Sequence, residues 1–182
     1  MTVEVKASRA DIRPATLDDV DAIVATLNEA YRGDGGWTTE KHLIKGDRAY
    51  ASEIIPLIAS RPTSEGVLLV YHPASSPQPL ACVDVEFRGN GRGYFGLFAV
   101  RHALQGKGVG NLLMEEAFGR MRAEGCTTAE ITVLHVRKDI IAWYQRKGFV
   151  STGKLMDFPQ TSDRAQLLPG VDGRLVYLEK QL

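Results

Sequence analysis

The sequence predicts an α/β (α+β) fold in a single domain, with an antiparallel strand meander and helices before and after it. Three observations carry that prediction. The apolar period is helical up to about residue 60 and strand-like over "GVLLVYH" and "LACVDVEF". Asn90-Gly91, between two β-rich runs, signals a tight antiparallel hairpin, because both residues tolerate positive φ. Finally, "AVRHALQGKGVGNLLMEEAF" runs from a strand through a glycine-rich turn into a helix, so strands and helices alternate in the second half of the chain.

The elements follow in order. A short strand is expected around Ile12, then a helix from Thr16 to about Arg32. Val20, Ile23, Val24, Leu27 and Tyr31 recur at helical spacing, Thr16 caps the first turn, and Gly33 stops the helix. The glycine cluster in "GDGGWTTEKHL" interrupts the pattern, and a second short helix is expected from Thr38 or Thr39. "ASEIIPLIAS" reads as helical with Pro56 in its first turn or distorting it.

In "LACVDVEF", Ala81, Val83, Val85 and Phe87 fall on one face and Cys82, Asp84 and Glu86 on the other. "YFGLFAV" is the returning strand. Val109, Leu112, Leu113, Ala117 and Met121 form the stripe of a helix ending at Gly125. "AEITVL" is a strand, "KDIIAWYQRK" a helix closed by Gly148, and "RLVYLEKQL" a last strand. Residues from Gly153 to Gly173 read as loop.

Composition narrows the function. The chain has 182 residues, 44% of them apolar and 24% charged, which suits one domain over 1–182 with a sizeable core. Lys plus Arg and Asp plus Glu both number 22, so the overall charge favours neither nucleic acid nor an anionic membrane surface. No apolar run approaches a membrane span, and "MTVEVKASRADIRP" lacks the apolar core of a signal peptide. Cys82 and Cys126 offer neither a disulfide framework nor a metal-ligand spacing, so no metal is expected and a cytoplasmic setting is.

Two glycine clusters compete as anion sites. Gly91, Gly93 and Gly96 spell a dinucleotide fingerprint, but they lie in a hairpin and lead into a strand, where no helix N-terminus can meet a pyrophosphate. Gln105, Gly106, Lys107, Gly108, Val109 and Gly110 instead link a strand to a helix. Successive N–H groups and the positive helix end converge there, glycines admit an anion close to the backbone, and Lys107 adds charge. The Walker spacing is missing, so this is a phosphate cradle of another kind.

Those residues resemble the GNAT superfamily of acetyl-CoA dependent N-acetyltransferases. Residues 105–110 match its Arg/Gln-x-x-Gly-x-Gly/Ala pyrophosphate loop, preceded by "LFAV", and "AWYQRKGF" is similar to its Tyr-x-x-x-Gly-Phe ending through Tyr144, Gly148 and Phe149. The resemblance implies a mixed, mostly antiparallel bent sheet of about six to seven strands, flanked by helices, whose fourth and fifth strands splay apart to admit pantetheine. It implies acetyl-CoA as co-substrate. Its binding set here would be Phe98, Ala99, Val100, residues 105–110, Asn111 and Tyr144, within a cofactor core of about 80–150. Arg137 stands where many members carry Asn, and its cation could reach cofactor phosphates or an acidic group of the acceptor.

Direct attack on a thioester needs a free amine. With a pKa near 10, an alkyl ammonium is about one part in a thousand free base at pH 7, a penalty of roughly 4 kcal/mol. Glu86, Asp84, Glu40 and His135 are therefore candidate bases, with Glu86 and His135 placed in the catalytic set. Helical spacing puts Tyr144 on one face with Ile140 and Ile141, where it could simply pack, but its place in the family motif implies the acid that protonates the departing thiolate. Tyr31, Trp37, Glu40 and Asp84 are expected on the acceptor side, within about 16–60 and the neighbouring strand. Cys126 reads as packing, which favours direct transfer over an acetyl-enzyme. The expected acceptor is a small-molecule amine (an amine, amino acid or antibiotic), in a monomer or homodimer. The alternatives are a protein N-terminus or lysine as acceptor, and a non-catalytic acyl-CoA binding module.

Overall fold

A computed structural model of the chain describes residues 7–159 and 165–182. The expectation for the first residues, and part of that for Gly153 to Gly173, falls outside them. The strands are β1 (Ile12–Pro14), β2 (Ile44–Lys45), β3 (Gly66–Tyr71), β4 (Ala81–Arg88), β5 (Arg92–Val100), β6 (Thr128–Leu134), β7 (Val150–Asp157), β8 (Gln166–Leu167) and β9 (Arg174–Gln181). The helices are α1 (Val20–Arg32), α2 (Ala51–Ala59), α3 (Val109–Ala123) and α4 (Lys138–Arg146). Seven strands form one sheet in the order β1-β3-β4-β5-β6-β9-β7, and β2 pairs with β8 separately. Every junction in the large sheet is antiparallel except β5 with β6.

The sheet is apolar on both faces. Ala81, Val83 and Val85 of β4 join a core with Leu113, Phe118 and Met121 of α3, while Cys82 faces Ile23 and Leu27 of α1 and Ile54 of α2. This explains why Ala81 through Val85 are all buried although their polarity alternates. The hairpin is the expected one, with positive φ at Asn90 (61°) and Gly91 (71°).

α1 is entered through a 3-10 turn, Leu17–Asp19. Asp19 accepts from the Thr16 N–H at 2.8 Å and from Arg13 at 2.7 and 2.9 Å, and these bonds, the guanidinium's foremost, lower its carboxyl to about 2. In α2, Pro56 stands in the second turn and not the first. The helix still continues, with the Pro56 carbonyl accepting from Ser60 and Arg61.

Two expectations are corrected. No helix forms after Trp37: Thr38 Oγ1 donates to the Ala30 carbonyl and the Glu40 N–H to the Tyr31 carbonyl, so this segment folds back on the end of α1 in turns. The stretch from Gly153 is not all loop, because β7 extends to Asp157 and β8 follows. β7 is exposed along its whole length and its register breaks between Ser151 and Leu155, so it carries no alternating pattern to read.

Candidate active site

β5 and β6, the fourth and fifth strands expected to splay, pair only through Arg92 with Thr128, Gly93 with Ala129 and Tyr94 with Glu130. Two features clamp that end: Arg92 bridges Glu130 and Glu179 at 2.6 and 2.7 Å, and the Tyr94 hydroxyl meets Thr132 Oγ1 at 2.8 Å. Beyond it the strands diverge. On the β5 side a bulge turns the chain: the register jumps between Cys82 and Asp84 of β4, and Leu97 takes φ 44°, unusual for a residue with a Cβ. A cavity of about 780 Å³ fills the gap, lined by Gly96, Leu97, Phe98 and Val100 on one side and residues 131–134 on the other.

At one end lies the glycine turn. Gly106 and Gly108 have φ of 77° and 87°, and an added Cβ at either would meet nothing within 4 Å. Gly108 is the N-cap of the fifteen-residue α3, and no side chain caps it. The first-turn N–H donors therefore face a space able to receive an anion. Gly110 packs against Phe98 and Val100, at 3.5 and 3.7 Å from its ideal Cβ, and Asn111 also lines the cavity.

Gln105 is a tie rather than a free donor. Its Nε2 reaches the Val100 carbonyl at 3.1 Å and Thr38 Oγ1 at 3.2 Å, linking the turn to the opposite segment. The Phe98 carbonyl likewise accepts from the Tyr31 hydroxyl at 3.1 Å, so both strand carbonyls keep only their second lone pair for a ligand.

Tyr144 lines the middle of the cavity from α4, held edge-on by Trp143 at 4.9 Å and Phe149 at 5.4 Å between ring centroids. Its hydroxyl has no hydrogen-bond partner among the described residues. Burial raises the phenol well above its ordinary 10, so it carries its proton at neutral pH.

The far end gathers Tyr31, Trp37, Glu40, Arg32, Arg48 and Phe158. Burial raises the Glu40 carboxyl against the pull of Arg32, which it meets at 3.2 Å. Burial pushes the Tyr31 phenol to about 12. Trp37 stays 45% exposed, tilted against Trp143 with 6.1 Å between centroids. Arg137 is spent on this end: it donates to the carbonyls of Trp37, Thr38 and Thr39 and is forked on Asp139. A phosphate would have to compete with all of these partners.

Other expected residues lie outside the cavity. Asp84 is buried on the α2 side in a forked pair with Arg61, at 2.6 and 3.0 Å. Glu86 lies across the β4–β5 ladder from Tyr94, and its carboxylate accepts two bonds from Arg88. His135 turns to Asp172, 3.4 Å away, because β9 pairs with the outer side of β6. Ala99 and Val109 are core, and Lys107 lines a separate 250 Å³ hollow with Tyr71 and Leu80. The cysteines are buried outside the cavity, and burial pushes the Cys82 thiol to about 12. Among the described residues no group of three or more His, Cys, Asp or Glu could hold a metal, and no helix is long and apolar enough to cross a membrane.

Tyr94, Thr132, Trp143 and Arg48 are cavity residues that the sequence reading did not single out. The first three stand within elements it named, but a distant packing partner decides which of their faces meets the gap. Arg48 carries no local signal at all.

Comparison with known proteins agrees with this architecture. Residues 65–151 match the family model described as Acetyltransferase (GNAT) domain. No curated protein matches the chain in sequence. Among solved structures, the ribosomal-protein-alanine N-acetyltransferase of Brucella melitensis is 18% identical with a TM-score of 0.66, over 94% of this chain and 99% of that one. Ard1 from Thermoplasma volcanium is 15% identical with a TM-score of 0.69, over 94% and 96%. The yncA protein of Salmonella typhimurium, solved with its cofactor acetyl-CoA, is 19% identical with a TM-score of 0.64, over 94% and 92%. Residues 65–151, which hold the glycine turn, the splayed strands and Tyr144, thus match a GNAT acetyltransferase domain, and the chain shares the fold of these solved structures.

Proposed function

We propose that the protein transfers the acetyl group of acetyl-CoA to the primary amine of a small molecule by direct attack. The observation that carries this reading is the single cavity joining the uncapped glycine turn, the β5–β6 gap and a polar pocket. Each part meets one need of the reaction. The N–H donors at residues 108–111 hold the pyrophosphate. The diverging strands receive the pantetheine arm alongside Phe98 and Val100. Tyr144, protonated and without a protein partner, donates to the thiolate as the tetrahedral intermediate collapses.

Glu40 takes the proton of the acceptor ammonium, in preference to Glu86, His135 or Asp84. It lines the cavity, whereas the other three do not, and its raised pKa brings a carboxylate closer to the working pH of a base. The Cys82 thiol is held protonated, which supports direct transfer. In this reading residues 16–60 form the acceptor side and 80–150 the cofactor side of one domain.

Solved neighbours with this fold include proteins titled as ribosomal-protein-alanine and as phosphinothricin N-acetyltransferases. A small acceptor is favoured here because Arg137 and Gln105 tie the segment at residues 36–39 across the cavity, leaving a pocket walled by Trp37 and Phe158. The test is release of free CoA thiol from acetyl-CoA over a panel of small amines and of peptides with free N-termini. Turnover with small amines supports the proposal. Turnover with peptides alone would replace the acceptor, and binding of CoA without turnover on any amine would make the chain a binding module.

A further inference from the structure

Arg48 lines the acceptor end of the cavity with its guanidinium over the Tyr31 ring, 5.0 Å from the centroid. Its backbone is fixed: the N–H groups of Arg48 and Ala49 both donate to Asn28 Oδ1, at 2.6 and 3.1 Å, and Asn28 Nδ2 donates to the Ala49 carbonyl. The charge is thus carried on a clamped main chain. Yet no carboxylate or carbonyl among the described residues is hydrogen-bonded or ion-paired to the guanidinium, whose charge reaches the Glu40 carboxyl only from a distance. Neighbouring charges are already engaged: Arg32 with Glu40, Arg137 with Asp139 and three carbonyls, and Glu53 with the Tyr50 N–H. Asp47, next in sequence, is exposed and forms no pair with it.

We propose that Arg48 is the acceptor's anion site, and that the acceptor is an amine-bearing carboxylic acid of the amino-acid class. The proposal rests on the acetyltransferase reading above and selects among its small amines. A guanidinium offers a planar fork that matches a carboxylate, and here it lies on the face of the same ring whose hydroxyl holds the Phe98 carbonyl beside the strand gap. Arg48 then presents a cation to a zwitterion, and Glu40, whose Oε2 is held by Arg32, presents its other oxygen. A polycationic amine would meet an unpaired arginine in the same pocket and be repelled.

The experiment compares kcat/KM for matched probes with saturating acetyl-CoA: leucine and phenylalanine, β- and γ-amino acids, the amides of leucine and phenylalanine, and the amines left when their carboxylates are removed. Wild type should prefer acids over amines and amides by about 10- to 100-fold, the range expected for a charged hydrogen bond. Arg48→Ala should collapse that ratio, Arg48→Lys should restore part of it, and acetyl-CoA should still raise the Tm of both. Equal or better use of the amines by wild type, an unchanged ratio in Arg48→Ala, or no turnover on any probe while acetyl-CoA still stabilises the protein would overturn the anion site. Loss of stabilisation by acetyl-CoA in wild type would instead overturn the reading on which it rests.

Discussion

Arg137 Nη2 donates to the main-chain carbonyl of Trp37 across 2.9 Å, tying the start of α4 to the segment that walls the cavity at the end away from the glycine turn. The same guanidinium serves Thr38, Thr39 and Asp139 with its side chain 6% exposed, and the Asp139 carboxyl is lowered chiefly by that bond. An ammonium cannot reproduce this fork. Arg137→Lys should therefore raise the acceptor KM about tenfold or more, and leaving buried carbonyls unpaired should cost about 1–3 kcal/mol, roughly 3–10 °C in Tm. Steady-state kinetics and thermal melts check both. A weakened acetyl-CoA affinity with an intact acceptor KM would return Arg137 to the phosphates.

Glu40 sets a pH prediction. Its carboxyl is raised above 4.5 by burial, so the basic form appears only as pH climbs through that raised value, and wild-type kcat/KM should rise across it. Glu40→Gln should lose about a hundredfold or more at neutral pH, and its rate should then follow the free-amine fraction, about tenfold per pH unit. Glu86→Gln should retain most of the activity. The reverse ranking in parallel pH profiles would move the base to Glu86.

For Tyr144, substitution by Phe keeps the ring among Trp143, Phe95 and Phe149 and removes only the hydroxyl. Single-turnover kinetics should show the chemical step slowed by about ten- to a thousandfold, with the Tm nearly unchanged. An undiminished rate would show that the phenol is packing and not the proton source.

Asp19 gives a stability prediction away from the cavity. Its pKa falls from 3.8 unfolded to about 2 folded, chiefly through the bonds from Arg13, so its contribution is complete above pH 3.8 and is lost as pH falls toward 2. Asp19→Asn should lower stability by roughly 1–3 kcal/mol at neutral pH, with the difference from wild type shrinking toward pH 2. Denaturant melts from pH 2 to 7 measure it.

Much of this architecture is legible in the sequence because local chemistry writes it: Asn90-Gly91 turns a hairpin, and the α3 stripe begins where the glycines end. β7 was not legible, since an edge strand exposed on both faces has no period. Nor was the segment after Trp37, whose turns are decided by bonds to Ala30 and Tyr31 on a distant helix. The same limit holds at the site. The glycine turn and Tyr144 announce themselves by spacing, whereas Glu40, Arg48 and the Tyr94–Thr132 clamp depend on which elements pack together. Strand carboxylates look alike in sequence: Asp84 is sent to Arg61 by the packing of a distant segment, whereas Glu86 pairs with Arg88 two residues along the same strand.

If the glycine turn and the strand gap form one acetyl-CoA site, calorimetric titration of CoA into wild type and Gly108→Asp will separate the two proteins. At Gly108 the φ of 87° and the empty space around an added Cβ mean that a carboxylate there would both strain the turn and stand where the pyrophosphate belongs. CoA at a hundredfold its Kd should also add about 2.7 kcal/mol to wild-type stability. CoA should bind wild type and not Gly108→Asp, with the variant's fold intact by circular dichroism; equal CoA affinity in a folded Gly108→Asp would show that the glycine turn does not hold the pyrophosphate.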